Sequence, residues 1–305
     1  MTAAEIQHSG VGQMSDAVTT GSVREALAAA RDALAAAGVE DPSLDAKLLL
    51  AEASGWDRAR LVAEPAAELP PTAGRRFGEM VRRRLRREPV AYILGRKGFR
   101  HLELTVDRRV LIPRPETELL VELALELRPG RVLDVGTGSG AIALAVAAEL
   151  PGCEVVATDT SPGALAVARA NAERLGLVER VEFVEGTLPA PGAVAGEGFE
   201  LILANLPYVA ERDWHSLQPE ITDWEPPEAL LAGPGGLDAY RRFIPECFLR
   251  LDRYAAQKKG ALAVEVGEGQ AAAVAELFAQ TGFTGIETRR DLAGIERGVL
   301  GVRYE

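Results

Sequence analysis

A glycine-rich turn between an apolar strand and an apolar helix is the feature that most limits what this chain can fold into. The turn occupies residues 134–140 (DVGTGSG) and follows the strand candidate Arg131–Val135. Glycines at such a turn let the backbone reverse sharply and approach a ligand without Cβ atoms in the way. Beyond it, strand-like and helix-like stretches alternate, which is typical of βα units on a mostly parallel sheet. We therefore predict an α/β domain that binds its ligand at the carboxyl ends of the strands.

The strands that should accompany this first one can be placed from their apolar runs. The candidates are 154–158, 181–184, 200–204, 261–266, 286–290 and 298–304. The last two lie close together with no helix between them, so one of them must run antiparallel at or near the sheet edge. The prediction is a mostly parallel seven-stranded sheet.

Helical signals dominate the residues before this domain. Ser22 and Glu25 form a capping box, and the helix that they begin should end at Gly38. A second helix is predicted from Asp41 and Pro42 to Gly55, and a third over residues 72–87. From residue 99 to residue 112, apolar residues alternate around Asp107-Arg108-Arg109, which favours a β-hairpin with its turn there.

These patterns divide the chain into four parts. Residues 1–20 show no periodic apolar pattern and are expected to be disordered. We assign residues 21–95 to a small helical domain, 96–112 to a β-hairpin linker and 113–305 to the α/β domain.

Composition excludes several classes of protein. The formal net charge of −11 argues against binding nucleic acid through bulk electrostatics, so we expect no direct nucleic-acid binding. Two cysteines and three histidines, all far apart in the sequence, indicate no metal site. The first twenty residues do not resemble a signal peptide and no apolar run is long enough for a bilayer, so we expect a cytoplasmic protein that does not bind membranes.

One stretch departs from this acidic balance. Between Arg75 and Arg100 there are about ten Lys and Arg residues against the two acids Glu79 and Glu88. The stretch is either a solvated helix face or a docking surface for an acidic partner or RNA.

Two kinds of cofactor fit the glycine-rich turn. Gly136, Gly138 and Ala141 match the dinucleotide pattern G-x-G-x-x-A, and Asp159 follows about twenty residues later, where it would bind ribose hydroxyls of either cofactor. Asp134 favours S-adenosylmethionine, because an acid there can reach the amino-acid end of that cofactor but would lie near the pyrophosphate of a dinucleotide. The predicted cofactor-binding residues are Asp134, Gly136, Thr137, Gly138, Ser139, Gly140, Asp159, Thr187, Leu188 and Asn205.

The adenine end of this site is less well specified. Gly186, Thr187 and Leu188 follow the third strand, where many methyltransferases carry an acid that binds the adenine amino group. The Thr187 hydroxyl could form a weaker hydrogen bond there, and a purely structural loop is the equal alternative.

The residues that follow the fourth strand predict the reaction. Asn205, Leu206, Pro207 and Tyr208 come directly after the strand candidate 200–204. A substrate NH2 group has two hydrogens, and the Asn205 side-chain oxygen and the Leu206 carbonyl offer two acceptors for them. Pro207 favours an extended Leu206, and Tyr208 offers a ring on which a planar amide or base can stack. We predict that these are the catalytic residues of methyl transfer to such a nitrogen, against the alternative of an ordinary Asn-x-Pro turn.

With these motifs the chain resembles the peptide chain release factor glutamine methyltransferases (the PrmC/HemK family) over nearly its whole length. The segments that carry the resemblance are Pro42-x-x-Asp45-Ala46-x-x-Leu49-Leu50, Arg87-x-Pro89-Val90-x-Tyr92-Ile93-Leu94-Gly95, residues 111–118 and 133–142, Glu225-Pro226 with Ala229-Leu230, and Gly235-Gly236-Leu237. Residues 112–118 are the most specific, because generic methyltransferases do not need them. The resemblance implies a class I Rossmann-like fold and methylation of the glutamine in the Gly-Gly-Gln loop of bacterial release factors. It also implies that the N-terminal domain helps to hold that factor.

Two positions depart from the family pattern. Leu206 stands where the family has the first proline of Asn-Pro-Pro-Tyr, and Thr187 stands where it has an aspartate. The Asn-Leu-Pro-Tyr form also occurs in rRNA adenine dimethyltransferases. The alternatives are therefore a nucleic-acid amino (adenine) methyltransferase, an enzyme acting on a glutamine of a ribosomal protein, or a non-catalytic S-adenosylmethionine-binding assembly factor.

Overall fold

The structure is a computed structural model that describes residues 21–188, 198–251 and 260–303. The disorder expected for residues 1–20 therefore concerns residues outside the described ones. The chain divides into two compact units. The first contains the described residues up to Gly95 together with Pro219–Trp224, and the second contains Arg96–Gln218 and the residues from Glu225 onward.

The first unit, here called the helical unit, is built from short helices. They are α1 (Val23–Ala36), α2 (Pro42–Ser54), α3 (Arg58–Ala63), α4 (Pro71–Leu85) and α5 (Val90–Leu94). The capping box of Ser22 and Glu25 is confirmed. Asp41 does occupy the N-cap of α2 but its side chain makes no capping hydrogen bond there, and Gly55 ends that helix in the left-handed conformation. The sequence pattern did not predict α3 or α5.

A buried ion-pair cluster lies beside the apolar core of the helical unit. Arg84 on α4 donates from Nε to Asp45 Oδ2 over 2.6 Å, and its Nη2 lies 2.6 Å from Glu220 Oε1. Arg87 donates to both carboxylate oxygens of Glu220, over 2.7 and 2.6 Å. Glu220 belongs to the short helix α9 (Pro219–Thr222), the segment that the contacts assign to this unit. Several arginines of the basic stretch are therefore paired, and the stretch is not simply a solvated face.

The predicted hairpin exists, but its turn was placed wrongly. Strands β1 (Arg96–Phe99) and β2 (Leu102–Thr105) pair antiparallel around a two-residue turn at Arg100 and His101. Arg100 has a φ of 49°, unusual for a residue with a side chain, and its guanidinium holds both oxygens of Glu149 at 2.6 and 2.9 Å. Residues 107–112 form no second strand, and Val110 and Ile112 are buried as part of an irregular segment.

The second unit, here called the methyltransferase unit, has a seven-stranded sheet as predicted. Its strands are β3 (Arg131–Val135), β4 (Glu154–Asp159), β5 (Val181–Glu185), β6 (Leu201–Ala204), β7 (Gly260–Glu265), β8 (Thr284–Arg290) and β9 (Glu296–Arg303). The order across the sheet is β5-β4-β3-β6-β7-β9-β8. Only β9 is antiparallel to its neighbours β7 and β8 among the described strands of this sheet, so the expected antiparallel strand lies next to the edge.

Helices follow most of the parallel strands, as βα units require. They are α7 (Ala141–Glu149), α8 (Pro162–Leu175), α10 (Asp238–Arg250) and α11 (Ala271–Thr281), and a further helix, α6 (Glu118–Leu127), precedes β3. Strands β3, β6 and β7 are almost wholly buried, because helices cover both faces of a central parallel strand. None of the helices in the described parts of the chain is both long and apolar enough to cross a lipid bilayer.

This topology decides which residues meet. Strands β3, β4, β6 and β7 run parallel, so their carboxyl ends lie at one edge of the sheet. Asp134, Asp159, Asn205 and Glu265 each lie at or directly after the end of one of these strands. Ligands of open α/β sheets bind at this edge.

Candidate active site

A cavity of about 530 Å³ opens at the carboxyl ends of the strands. The predicted site residues that line it are Gly136, Thr137, Gly138, Ser139, Asp159, Thr187, Asn205, Leu206 and Pro207. The other predicted residues, Asp134, Gly140, Leu188 and Tyr208, are not part of the cavity lining. Asp134 is fully buried, and Leu188 and Tyr208 pack against the apolar core of the unit. The glycine-rich turn and the Asn205 motif therefore share one cavity.

The glycine-rich turn has the left-handed backbone conformation that glycine adopts without strain. Gly136, Gly138 and Gly140 have φ values of 73°, 57° and 85°. A Cβ on Gly140 would lie 2.8 Å from a methyl carbon of Leu144, so a side chain there would collide with helix α7. A Cβ on Gly136 would lie 3.8 Å from the backbone oxygen of Asn205, so the turn directly adjoins the motif after β6.

Asp134 is buried at the base of the turn with an incomplete set of partners. Its Oδ2 accepts hydrogen bonds from the Thr137 hydroxyl at 2.6 Å and the Ala143 amide at 3.1 Å. Its Oδ1 is buried and has no hydrogen-bond partner among the described residues. Burial raises the pKa of Asp134 to about 7. A carboxylate in this state favours a ligand that brings a positive charge or a hydrogen-bond donor to Oδ1.

Asp159 closes the other side of the turn. Its carboxylate accepts from the backbone amides of Gly138 at 2.9 Å and Ser161 at 2.8 Å. These bonds fix the acid at the end of β4, on the cavity wall. The Thr187 backbone carbonyl accepts from the Thr158 hydroxyl at 2.8 Å, which ties the third loop to the same strand.

The Asn205 side chain belongs to a chain of hydrogen bonds. Its Nδ2 donates to the Thr117 hydroxyl at 3.0 Å, and that hydroxyl donates to Glu265 Oε2 at 2.5 Å. Asn205 Oδ1 accepts no hydrogen bond from the described residues. Thr117 ends a short 3-10 helix, Pro115–Thr117, and Glu265 ends β7. The amide nitrogen is thus held in place while the amide oxygen keeps its acceptor capacity.

The rest of the motif is anchored by packing. The Leu206 side chain belongs to the apolar cluster that includes residues of β6 and α10, and the residue also lines the cavity. The Tyr208 carbonyl accepts from Gln270 Nε2 at 2.9 Å. A Cβ on Gly236 would lie 2.6 Å from that carbonyl, so only glycine fits beside it. Burial raises the pKa of the Tyr208 hydroxyl to about 12, so it is neutral at physiological pH.

The cavity mouth joins two segments that are far apart in sequence. Both Glu225 oxygens are used: one accepts from the Ile112 backbone amide at 3.1 Å, and the other pairs with the Arg114 guanidinium. Arg114 also lines the cavity. The two family-specific segments, residues 112–118 and Glu225-Pro226, therefore contact each other.

Sequence reasoning missed three residues that support the motif: Thr117, Glu265 and Gln270. Thr117 lies inside the segment singled out as most specific, and Glu265 ends a strand that neighbours the strand before Asn205. The sequence marks the segment of Thr117 and the strand of Glu265, but it does not show that the two residues meet. Nothing in the sequence marks Gln270, because its contact with Tyr208 depends on the glycine turn around Gly267, whose amide donates to Gln270 Oε1.

Comparisons with known proteins agree with this arrangement. A family model described as the PrmC N-terminal domain matches residues 25–95, and one described as a methyltransferase domain matches residues 132–227. The release factor glutamine methyltransferase of Caulobacter vibrioides is 41% identical over 283 residues, covering 92% of this chain and 96% of that protein. The chain belongs to the release factor glutamine methyltransferase family.

A second relative supports the same assignment, and a solved structure shares the fold. The release factor glutamine methyltransferase of Geobacter sulfurreducens is 42% identical over 281 residues, with 92% of this chain and 96% of that protein covered. A methyltransferase structure from Pyrococcus furiosus, 18% identical, superposes with a TM-score of 0.50 over 68% of this chain and 92% of its own. It shows the fold alone. The prediction of a methyltransferase is confirmed, and the dinucleotide-binding alternative is wrong.

Proposed function

We propose that this enzyme transfers a methyl group from S-adenosylmethionine to the side-chain amide nitrogen of the glutamine in the Gly-Gly-Gln loop of peptide chain release factors. The observation that carries the proposal is the state of Asn205. Its nitrogen is held by Thr117 and its oxygen is left as an acceptor on the wall of the cavity that the glycine-rich turn also lines. Such an oxygen matches the NH2 group of a substrate amide.

The residues around the turn fit S-adenosylmethionine. Asp134 Oδ1, buried at the base of the turn without a partner, would accept from the ammonium of the cofactor's amino-acid end. Asp159 would accept from the ribose hydroxyls, and Gly136, Gly138 and Ser139 would form the wall against which the cofactor lies. Thr187 also lines the cavity, and its hydroxyl would bind the adenine amino group. When bound, S-adenosylmethionine supplies a methyl group on a cationic sulfur, which is an activated donor.

The task of the chain is then to hold a poor nucleophile in line with that donor. An amide nitrogen is weakly nucleophilic because its lone pair is delocalised into the carbonyl. Asn205 Oδ1 and the Leu206 carbonyl would accept one hydrogen each from the substrate NH2 group. This fixes the nitrogen and favours localisation of its lone pair toward the methyl group. Pro207 restricts Leu206, and Tyr208 would stack on the amide plane.

The helical unit would help to hold the release factor. The family model that matches residues 25–95 is the PrmC N-terminal domain, and the model of a methyltransferase domain matches only residues 132–227. Arg75, Arg82 and Arg86 are exposed on or just after α4 and fall on one side of it, at intervals of seven and four residues. They would face acidic residues of the partner.

The decisive experiment is methyl transfer from labelled S-adenosylmethionine to purified release factor and to its Gly-Gly-Ala variant. We expect label on the first and none on the second. Asn205→Ala should lower kcat at least about 100-fold, as loss of a preorganised polar group at a reacting centre does. Gln280→Ala, which removes an exposed amide on α11, is the matched control and should leave kcat unchanged. Label on a ribosomal protein or RNA, with none on the release factor, would overturn the proposal.

A further inference from the structure

The hydrogen-bond chain behind Asn205 has a direction. Asn205 Nδ2 donates to Thr117 Oγ1, and Thr117 Oγ1 donates to Glu265 Oε2. Thr117 is 4% exposed and Glu265 is 2% exposed, so water does not compete for either group. All three residues lie in the methyltransferase unit, on separate elements that meet at the carboxyl ends of β6 and β7.

The chemistry of the three groups decides that direction. An ionised carboxylate only accepts hydrogen bonds, so it takes the single hydrogen of the Thr117 hydroxyl. The hydroxyl oxygen is then left to accept, and an acceptor can be approached only by the NH2 side of the Asn205 amide. The Oδ1 side is forced to face away from Thr117, toward a substrate.

An asparagine at this position needs such a device. Its amide oxygen and nitrogen are nearly equal in size, so a 180° rotation of the amide meets little steric resistance. The rotated amide would point NH2 at the NH2 of the substrate, placing two donors against each other. Only the polarity of the neighbouring hydrogen bonds separates the productive orientation from the rotated one.

We infer that Thr117 and Glu265 are positioning residues that hold the Asn205 amide with its oxygen toward the methylated nitrogen. This rests on the proposed function, in which Asn205 Oδ1 accepts from the substrate amide. Neither Thr117 nor Glu265 needs to touch the substrate. Their effect passes through the amide of Asn205.

The surroundings of Glu265 make the device sensitive to pH. Glu116 faces it and opposes its ionisation, and Arg297 and Arg114 favour ionisation. Two tyrosines also adjoin Glu265. The Tyr240 hydroxyl donates to the Glu265 backbone carbonyl at 2.7 Å, and the charge of Glu265 contributes to the raised pKa of Tyr208. Burial is the largest influence and raises the pKa of Glu265 to about 7.

The sign of the pH dependence follows from the carboxyl group. Above about pH 7 Glu265 is ionised and accepts only, so the chain runs in the productive direction. Below that pH the protonated carboxyl can donate to Thr117, which frees the hydroxyl to donate to a rotated Asn205. Turnover should therefore rise as the pH increases through about 7.

The test compares Thr117→Val, which removes the hydroxyl at nearly constant shape, with Thr117→Ser, which keeps it. Methylation of release factor is measured at saturating S-adenosylmethionine between pH 5.5 and 8.5, so that cofactor affinity does not contribute. We expect Thr117→Val to lower kcat at least about tenfold with little change in cofactor affinity, and to lose the rise through pH 7. Thr117→Ser should restore both kcat and the pH profile.

A double-mutant cycle separates this inference from the proposed function. If Thr117 acts through Asn205, then Thr117→Val should cause no further loss of kcat in an Asn205→Ala background. Wild-type kcat in Asn205→Ala would overturn the proposed role of Asn205. If Asn205→Ala lost most of its kcat while Thr117→Val kept the wild-type kcat, the proposed role of Asn205 would stand. Only the inference about Thr117 and Glu265 would then be overturned. Additive losses in the double variant, or a Thr117→Ser variant as slow as Thr117→Val, would equally overturn it.

Discussion

The two units of this protein bury their carboxylates in different ways. In the helical unit, Asp45 and Glu220 both face the Arg84 guanidinium, and Arg87 adds a second guanidinium to Glu220. Burial acts to raise the pKa of Glu220, but hydrogen bonds from Arg87 and Arg84 outweigh it and lower that pKa overall. Burial raises the pKa of Asp45, and Arg84 opposes the rise.

In the methyltransferase unit Glu225 is likewise paired, with Arg114, but the buried carboxylates Asp134 and Glu265 have no such partners. Asp134 accepts from a hydroxyl and a backbone amide, and Glu265 accepts from the Thr117 hydroxyl. No described Lys or Arg forms an ion pair with Asp134 or Glu265. Burial raises the pKa of both to about 7.

The difference separates structural from functional charge. A buried carboxylate that already holds a guanidinium is satisfied and has no capacity left for a ligand. A buried carboxylate without a cation is costly to the folded state and is ready to bind a ligand or impose a direction on neighbouring hydrogen bonds. In the helical unit Asp45 and Glu220 hold the chain together through their arginines. In the methyltransferase unit Glu225 does the same through Arg114, whereas Asp134 and Glu265 stay without a cation at the site.

The largest effect should come from breaking the paired cluster. Arg84→Met keeps the length and apolar contacts of the side chain but leaves Asp45 and half of Glu220 unpaired. Removing one partner of a buried ion pair typically costs about 3–5 kcal/mol. Amide hydrogen exchange of α2 and α4 should show this loss in the free energy of opening.

The matched control for that experiment is Arg82→Met on the same helix. Arg82 is exposed and has no ion pair among the described residues, so its loss should change the opening free energy by less than about 0.5 kcal/mol. Equal effects of the two substitutions would contradict the view that the cluster stabilises this unit.

The next effect, opposite in sign, should come from removing the unpaired charge of Glu265. Its pKa is about 7 when folded, above the ordinary value of 4.5. Because the folded pKa is raised, stability is highest at low pH and is lost as the pH rises from about 4.5 through 7. Glu265→Gln removes that loss, so it should stabilise the protein above pH 7 by roughly 3 kcal/mol.

The measurement is the free energy of unfolding of both proteins at pH 5 and pH 8. The advantage of Glu265→Gln should be small at pH 5 and full at pH 8, and it should come with slower methyl transfer. Glu182→Gln, an exposed position on β5, should change stability by less than about 0.5 kcal/mol at either pH. A variant less stable than wild type at pH 8 would show that this carboxylate is structural.

Much of both units could be predicted from local patterns, because those patterns act over a few residues. The capping box at Ser22 and Glu25, the strand Arg131–Val135 and the glycine turn after it all depend on neighbours in the sequence. Asn205 could be found because it directly follows a strand. Seven strands with one antiparallel member followed from spacing and connection length.

The features that could not be predicted depend on distant partners. The hairpin turn falls at Arg100, whose guanidinium pairs with Glu149 far along the chain, and nothing local marks an arginine for a positive φ. Thr117 and Glu265 are separated by 148 residues. Glu220 belongs with the helical unit through arginines more than a hundred residues earlier. Such pairings require the folded topology.

The smallest predicted effect sharpens the comparison at the cofactor end. The pKa of Asp134 is about 7 without a ligand, so below that pH the carboxyl must lose a proton before it can bind the ammonium group of S-adenosylmethionine. Affinity should therefore be roughly tenfold weaker at pH 6 than at pH 7.5, a difference of about 1.4 kcal/mol. Above about pH 8 the affinity should fall again, because an α-amino group loses its own proton near there.

Calorimetric titration of wild type and Asp134→Asn with S-adenosylmethionine across this pH range tests the assignment. The variant should bind more weakly at pH 7.5 and lack the acidic limb, whereas Asp213→Asn, at an exposed acid, should keep both affinity and profile. An acidic limb that persisted in Asp134→Asn would mean that another group senses the proton, and the unpaired carboxylate of this unit would then serve the fold of the turn rather than the cofactor.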